Sequence, residues 1–372
     1  MGRVRMGFIG VGHRGGQQAV HVERSYPERA EIRALADVEA ANLSGMRTRL
    51  QRSNPEAYTD WRKLIERDDI DAVCISTPQF THCQIAVAAF GAGKHVYCEK
   101  PLALTVAECT KMIEAGKKAG RVFVVGQQMR YHQHLNRMSR LVQQGEIGTP
   151  YLAWLKEFRG PFPANMAWAF DKRKSGGALV EKSCHHFDVF TWLLGTPPVR
   201  VFASGGQAVH REIFGVESDI VDHAWVTVEH AGARRAMLGL CLFAGLPHPK
   251  EGGAGTHMRD IGVIGEKGMI TTEGFHLGRH LQIRYSDRAD VVTIELDPSQ
   301  ASADALFERP GDWGIWVDFF NCIETRGKPV ASGEVGRDAV AVALAAERSM
   351  ETGQPVAVSE VSESQPGGVP GV

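Results

Sequence analysis

The sequence predicts a two-domain chain: an α/β domain on a parallel sheet, then an α+β domain on a mostly antiparallel sheet. Three observations predict it. From residue 4 to about 126, short β-rich apolar runs alternate with helical stretches, the pattern of strands joined by crossover helices. After residue 148, strand-like runs follow one another with few helices between, the pattern of an antiparallel sheet. The length, 372 residues with 43% apolar and 23% charged, exceeds one small domain and suffices for a sizeable core.

In the first half the predicted strands are 4–10, 31–37, 72–77, 95–99 and 122–126. Between them 15–25, 39–51, 61–67, 81–91 and 105–119 have helical length, and Gly91 and Gly120 stand at expected C-caps. Later strands are predicted at 151–158, 224–229, 236–243, 282–285 and 291–296. The Gly/Pro-rich segment 245–256 (GLPHPKEGGAGT) reads as a long mobile loop. The expected division is 1–126, 127–361 and a disordered tail, 362–372 (SESQPGGVPGV).

Lys and Arg number 42 against 43 Asp and Glu, so a formal charge of −1 gives no overall attraction for nucleic acid or an anionic membrane. The longest apolar stretches, such as 236–246 and 339–346, fall short of the roughly 18 residues that span a bilayer. The start, MGRVRMGFIGVG, runs straight into a strand pattern without a secretory apolar run, so a cytoplasmic location is expected. The seven cysteines (Cys74, Cys83, Cys98, Cys109, Cys184, Cys241 and Cys322) form no CxxC pair and read as reduced thiols with no zinc site; no metal is expected.

Gly10-Val-Gly-His-Arg-Gly15 matches GxGxxG directly after a strand and directly before a helix. Gly10, Gly12 and Gly15 allow a tight turn and close backbone approach, and the helix start, with His13 and Arg14, offers N–H groups to a pyrophosphate. The second strand ends in Asp37, 22 residues beyond Gly15, where an acid binds adenosine ribose hydroxyls. An acid there repels a 2′-phosphate, so NAD is expected rather than NADP; Arg14 works against this if it faces the ribose. The other reading is a glycine turn without a ligand.

The fourth predicted strand runs into HVYCEKPLALTVAEC and places Glu99, Lys100 and Pro101 at the ligand-binding edge of a parallel sheet. A charged Lys there can donate to a substrate hydroxyl as negative charge develops on it. Alternatively Lys100 is a solvated surface side chain.

In order and spacing, GVGHRG (10–15), STPQFTH (76–82), CEKPLALT (98–105) and GGALVEKSCHHFD (176–188) resemble the glucose-fructose oxidoreductase / inositol dehydrogenase (Gfo/Idh/MocA) family. The resemblance runs from Val4 to about Val358. It implies a Rossmann domain, a C-terminal α/β domain with an open, predominantly antiparallel sheet, and NAD(P)-linked chemistry on sugars or cyclitols. The family's later motif carries an Asp and, four residues on, a catalytic His; this chain has Glu181 and His185 there. If 180–194 is one helix, Glu181, His185 and Asp188 share a face, and the carboxylate can orient the imidazole that accepts a proton. A core histidine tied to a helix carboxylate is the alternative. His186, about 100° round the helix, is expected to touch substrate or simply to be partly exposed.

The resemblance also matches Gln79 and His82 to the family's Asn and His, sets Thr77 and Pro78 along the cofactor and puts Gln128 at a nicotinamide or sugar contact. His82 also reads simply as a helix N-terminal residue. Glu181 and Lys182 depart from the commonest pattern. Asp171-Lys-Arg-Lys174 reads as a solvated charge run, or as Lys172 and Arg173, with Arg159, holding an anionic group on the sugar.

The leading expectation is an NAD-dependent dehydrogenase oxidising a secondary hydroxyl of a sugar, a sugar derivative or a cyclitol. Lys100 polarises the hydroxyl, His185 takes its proton and Glu181 orients His185. The alternative is an NAD-dependent glycoside hydrolase that oxidises, eliminates, hydrates and reduces with no net redox change, with His186, Lys182 or Tyr131 as a further base. A non-enzymatic NAD-sensing protein is the third reading. The expected partners are a small carbohydrate or cyclitol substrate and copies of the chain itself, as dimer or tetramer, because an open sheet must cover its free face.

Overall fold

The computed structural model describes residues 2–245, 258–272, 280–296 and 311–363. They form two compact units, Met1–Gln128 with Asp312–Arg337, and Met129–Gly311 with Asp338–Val372. The expected boundary near residue 126 therefore omits a returning segment. Its aromatic residues explain the return: Trp316 is fully buried, stacks on Tyr97 at 4.5 Å between centroids, and donates its Nε1–H to Gln18 Oε1 at 2.6 Å.

The first unit contains β1 (Val4–Ile9), α1 (His13–Ser25), β2 (Ala30–Ala36), α2 (Ala40–Arg49), β3 (Glu56–Tyr58), α3 (Trp61–Ile65), β4 (Ala72–Ile75), α4 (His82–Gly91), β5 (His95–Cys98), α5 (Val106–Ala119) and β6 (Phe123–Val125). The strands pair in parallel in the order β3-β2-β1-β4-β5-β6. Every residue of β4 is buried, as expected of a parallel strand covered on both faces. The order reverses between β1 and β4, and at that switch point the chain leaves β1 through Gly10. Local chemistry sets the helix ends: Thr105 and Glu108 form a capping box on α5, and Gly120 closes it in the left-handed region at φ 60°.

Two local expectations change. β3, three residues on the sheet edge, is too short for periodicity to reveal. Gly91 is the last residue of α4 and not its cap; the positive φ falls at Gly93.

The second unit contains α6 (Gln133–Gln143), β7 (Pro150–Phe158), α7 (Lys172–Ser175), α8 (Ala178–Glu181), α9 (Cys184–Leu194), β8 (Pro198–Gly206), a small hairpin of β9 (Glu212–Ile213) and β10 (Val216–Glu217), β11 (His223–His230), β12 (Arg234–Cys241), β13 (Met258–Gly265), β14 (Gly268–Thr272), β15 (His280–Tyr285), β16 (Val291–Glu295) and β17 (Val356–Ala357). The large sheet runs β16-β15-β14-β13-β7-β12-β11-β8-β17. Among the described residues β7 and β12 pair in parallel and its other neighbours are antiparallel. One face carries α9 against β7 and β12.

The other face exposes apolar side chains beside charged pairs such as Arg200–Glu229 and Lys156–Asp260. On β11, Ala224, Val226 and Val228 are buried while Trp225 remains 51% exposed. Gly239 lies opposite Trp225 and Gly262 opposite Trp154; a Cβ at either glycine would meet the indole at 2.6 and 2.1 Å. The missing side chains let both rings lie against the sheet, which flattens the face. Phe202 and Met237 flank Thr227 on the same side.

The expected helix 180–194 is interrupted. Lys182 and Ser183 separate α8 from α9, and both the His186 and Phe187 N–H groups donate to Ser183 O. Strands β8, β13 and β14 were not expected from the pattern. Residues 246–257, most of the expected loop, and 364–372, most of the expected tail, lie outside the described residues. Ser362 and Glu363, expected in the tail, belong to a helix, Val358–Glu363. All seven cysteines are free thiols, and no described helix is long and apolar enough to cross a membrane.

Candidate active site

In the first unit the candidate site is the turn from β1 into α1. Gly10 adopts φ 81°, and a Cβ there would lie 2.7 Å from Thr77 N. A Cβ on Gly15 would lie 1.8 Å from Gly10 O, so the third glycine is required by helix–strand packing. Gly12 differs: its nearest neighbour would be Asn42 Nδ2 at 3.5 Å. It is also the N-cap of α1, with no side-chain cap and no acidic residue in the first turn. The helix therefore presents uncapped N–H groups and positive dipole at an unobstructed glycine, with the exposed His13 beside it, which fits a dinucleotide pyrophosphate.

Asp37 is tied to this turn. Its Oδ2 accepts the Val11 N–H at 2.8 Å, while Oδ1 accepts Glu39 N–H at 2.9 Å and Asn42 Nδ2–H at 3.2 Å. A carboxylate offers about four acceptor positions, so capacity remains for a ribose hydroxyl. Arg14 is placed differently from the expectation that it might face the ribose. Its Nε donates to Glu99 Oε1 at 2.7 Å, because Glu99 is buried and draws the nearest cation.

Glu99 is thus a hub beneath the cradle and not an exposed cofactor contact. Gln18 Nε2–H donates to its Oε1 at 3.0 Å, and its Oε2 accepts the Lys100 N–H at 3.2 Å. Lys100 itself is half-buried at the C-terminal end of β5, joined to Pro101 by a cis peptide. His82 is the first residue of α4, as its helix N-terminal reading expected. It is buried, with Nε2 2.8 Å from Thr77 O and Nδ1 3.1 Å from Pro101 O, so it staples the 77–78 turn to the Lys-Pro turn. Thr77 and Pro78 are half-buried in that turn. Gln128, after β6, keeps a buried Oε1 without a hydrogen-bond partner, an acceptor suited to a carboxamide or hydroxyl donor.

In the second unit the candidate residues lie on α8 and α9. Glu181 and His185 are both buried, on either side of the helix break. Asp188 does not extend that pair: Arg130 grips it with Nε at 2.8 Å and Nη2 at 2.6 Å. Burial pushes the Asp188 carboxyl up despite Arg130.

His186, expected at the substrate, is fully buried with Nε2 2.9 Å from Glu157 Oε2. Burial lowers its pKa, so the neutral ring donates to Glu157 through Nε2–H. Glu157 also meets Lys182 Nζ at 2.9 Å, Arg259 Nε at 2.8 Å and Arg159 Nη1 at 3.8 Å. Burial alone would raise the Glu157 carboxyl, but Lys182, His186 and Arg259 hold it well below the usual carboxylate range.

Two expected substrate contacts are engaged elsewhere. Lys172 pairs with Glu347 at 3.0 Å and Glu351 at 2.8 Å, and Arg173 pairs with Asp171 while 85% exposed. The Asp171 side chain caps α7, which holds the run together locally. Tyr131 is fully buried, with no accessible surface for a ligand. Arg159 stays in the site region, buried beside Glu157. The pattern left Glu157 and Arg259 unnoticed. For Glu157 the signal was a charge at an inward position of a predicted strand, where Ala153, Leu155 and Glu157 alternate onto the buried face; Arg259 lies on β13, which the pattern did not reveal.

A glycine-lined helix start with an acid clamped beside it, at the switch point of a parallel sheet, defines a dinucleotide-binding fold. The comparisons agree. A model described as an oxidoreductase family with an NAD-binding Rossmann fold matches residues 4–127, and a second, the oxidoreductase C-terminal alpha/beta domain, matches 139–358. The chain belongs to the Gfo/Idh/MocA oxidoreductase family. It is 29% identical to a myo-inositol 2-dehydrogenase of Thermotoga maritima, over 96% of this chain and 99% of that protein. Its fold is shared with an oxidoreductase domain protein from Kribbella flavida (24% identity, TM-score 0.80, 96% of this chain and 100% of that one). It is shared too with a levoglucosan dehydrogenase in complex with NADH and levoglucosan (22% identity, TM-score 0.82, 96% and 99% covered).

Proposed function

We propose that the protein is an NAD-dependent dehydrogenase that oxidises a secondary hydroxyl of a sugar or cyclitol. The observation that carries this is the uncapped start of α1 at Gly12, beside Asp37 and in the same unit as the half-buried Lys100. Gly10, Gly12, Gly15 and the first turn of α1 hold the pyrophosphate, Asp37 the ribose hydroxyls, and Thr77, Pro78 and Gln128 the nicotinamide end. NAD, when bound, supplies the hydride acceptor. Asp37 would repel a 2′-phosphate and Arg14 is turned to Glu99, which supports NAD over NADP.

Lys100 donates a hydrogen bond to the substrate oxygen and stabilises its developing charge. His185 accepts the hydroxyl proton, and Glu181 orients the imidazole. Support for a polyol substrate comes from the relatives that act on inositol and bind levoglucosan. The chain works as a homo-oligomer that covers the flat face of Trp225, Phe202 and Met237; their exposure of 44% or more supports it.

The test incubates the protein with NAD and myo-inositol, levoglucosan or aldoses and follows NADH. Lys100→Met should lower turnover by roughly two orders of magnitude or more while NAD titrates as in the wild type. Unchanged turnover removes Lys100 from the chemistry. NAD-requiring release of an aryl-glycoside aglycone without net NADH would establish the redox-neutral hydrolase instead.

A further inference from the structure

Lys100 can meet a substrate oxygen reproducibly only if its backbone is held, and within the first unit two side chains hold it from its two sides. On the amino side Glu99 Oε2 accepts the Lys100 N–H at 3.2 Å, while Glu99 Oε1 is fixed by Arg14 at 2.7 Å and Gln18 at 3.0 Å. On the carboxyl side the ring of His82 lies against the next two carbonyls, with Nδ1 3.1 Å from Pro101 O and 3.2 Å from Leu102 O. Its other nitrogen lies 2.8 Å from Thr77 O. His82 is 1% exposed and Leu102 fully buried, so these contacts are made in a dry interior, where a donor counts for more than at the surface.

The Thr77 end is braced as well. The Thr81 hydroxyl lies 2.7 Å from Thr77 Oγ1 and 2.8 Å from Pro78 O, and the Thr81 N–H donates to Pro78 O at 3.0 Å. The turn also presses on the glycine cradle, because a Cβ on Gly10 would lie 2.7 Å from Thr77 N. Contacts therefore run without a gap from Gly10 through Thr77 and His82 to the two carbonyls that follow Lys100. Both ring nitrogens of His82 meet only carbonyl oxygens. A neutral ring donates to one turn and a protonated ring to both. Burial opposes the charge, and the three carbonyls and Glu99 favour it. In either state the imidazole lies between the turns and supplies a donor; an apolar side chain supplies none.

We propose that His82 is a positioning residue that acts through Lys100: by bridging the turn of Thr77 and Pro78 to the turn of Lys100 and Pro101, it sets the lysine against the nicotinamide end of the dinucleotide. This deepens the dehydrogenase assignment and rests on it. His82 itself is buried away from substrate and cofactor, so its effect passes through the two turns.

The first test needs no sugar. Calorimetry compares NAD with ADP-ribose, which lacks the nicotinamide, on the wild type, His82→Leu and His82→Gln. Loss of the bridge should weaken NAD several-fold in His82→Leu and leave ADP-ribose within about twofold of the wild type. The Gln amide still donates and should restore part of the loss. NAD and ADP-ribose weakened alike, or neither weakened, would overturn the bridge. If His82→Leu does not fold by circular dichroism, His82→Gln carries the same comparison with a smaller NAD-selective loss.

The second test reads the lysine. With whichever of myo-inositol, levoglucosan or glucose forms NADH, His82→Leu should lower kcat/KM about tenfold or more at saturating NAD, and His82→Gln by less. In the Lys100→Met background the same change should cost no more than about twofold, because a residue that acts through the lysine then has nothing to act on. An equal loss in both backgrounds would mean a general weakening of the unit and overturn the proposal while the dehydrogenase stands. If no sugar forms NADH, the dehydrogenase assignment fails by itself, and the NAD to ADP-ribose comparison decides whether His82 shapes the nicotinamide end.

Discussion

His95, at the start of β5, accepts the Val122 N–H on its Nδ1 at 3.0 Å, an interaction available only to a ring that is unprotonated there. Burial, helped by Arg121, lowers its pKa to about 4 from an ordinary 6.5. The unfolded chain therefore takes up the proton first as pH falls. The stability contributed by neutral His95 is fully present above 6.5 and is lost progressively as pH falls toward about 4. His95→Gln should flatten the fall in melting temperature across that window relative to the wild type; parallel curves would exclude His95 as a source of the slope. At this scale the sequence named candidate residues but not their partners. Arg14, 85 positions from Glu99, is held by a carboxylate that no local pattern connects to it.

The β1–α1 turn was the most legible element, because strand, glycine turn, helix and acid all lie within a short stretch of chain. Its glycines are nevertheless not equivalent. Gly15→Ala places a methyl 1.8 Å from Gly10 O and should prevent α1 from docking, lowering the melting temperature sharply. Gly12→Ala meets nothing closer than 3.5 Å, so the fold should persist while the methyl obstructs approach to the helix N-terminus. NAD should then bind roughly tenfold or more weakly at near-unchanged stability, measured by calorimetry and thermal unfolding. Equal NAD affinity would mean that the pyrophosphate does not approach Gly12. The helix expected over 180–194 shows the limit of periodicity: Glu181, His185 and Asp188 keep helical spacing in the sequence, so the pattern reads as one helix although the backbone bonds restart at Ser183.

At the scale of the molecule, the nine-stranded sheet leaves Trp225, Phe202 and Met237 exposed by 51%, 45% and 44%. Arg200, Glu229 and Arg235 pair on the same side, so charges lie beside the apolar surface. If copies of the chain bury this face, Trp225→Arg combined with Met237→Asp should shift the protein toward monomer in light scattering, with its fold intact by circular dichroism. An unchanged mass would place the contact elsewhere. The returning segment 312–337 was invisible in the sequence because nothing local says which unit its aromatic residues fill.

By itself the sequence determined the parallel-sheet unit, the glycine cradle with Asp37, the antiparallel character of the second half and the family to which the chain belongs. Those features rest on periodicity and on interactions between residues close in the chain. Only the tertiary structure decided where the long charged side chains go: Arg14 to Glu99, Lys172 to Glu347, and Lys182 and Arg259 to Glu157. The physical reason is desolvation. A buried charge takes whichever opposite charge the fold brings within reach, and that choice is made between residues distant in sequence.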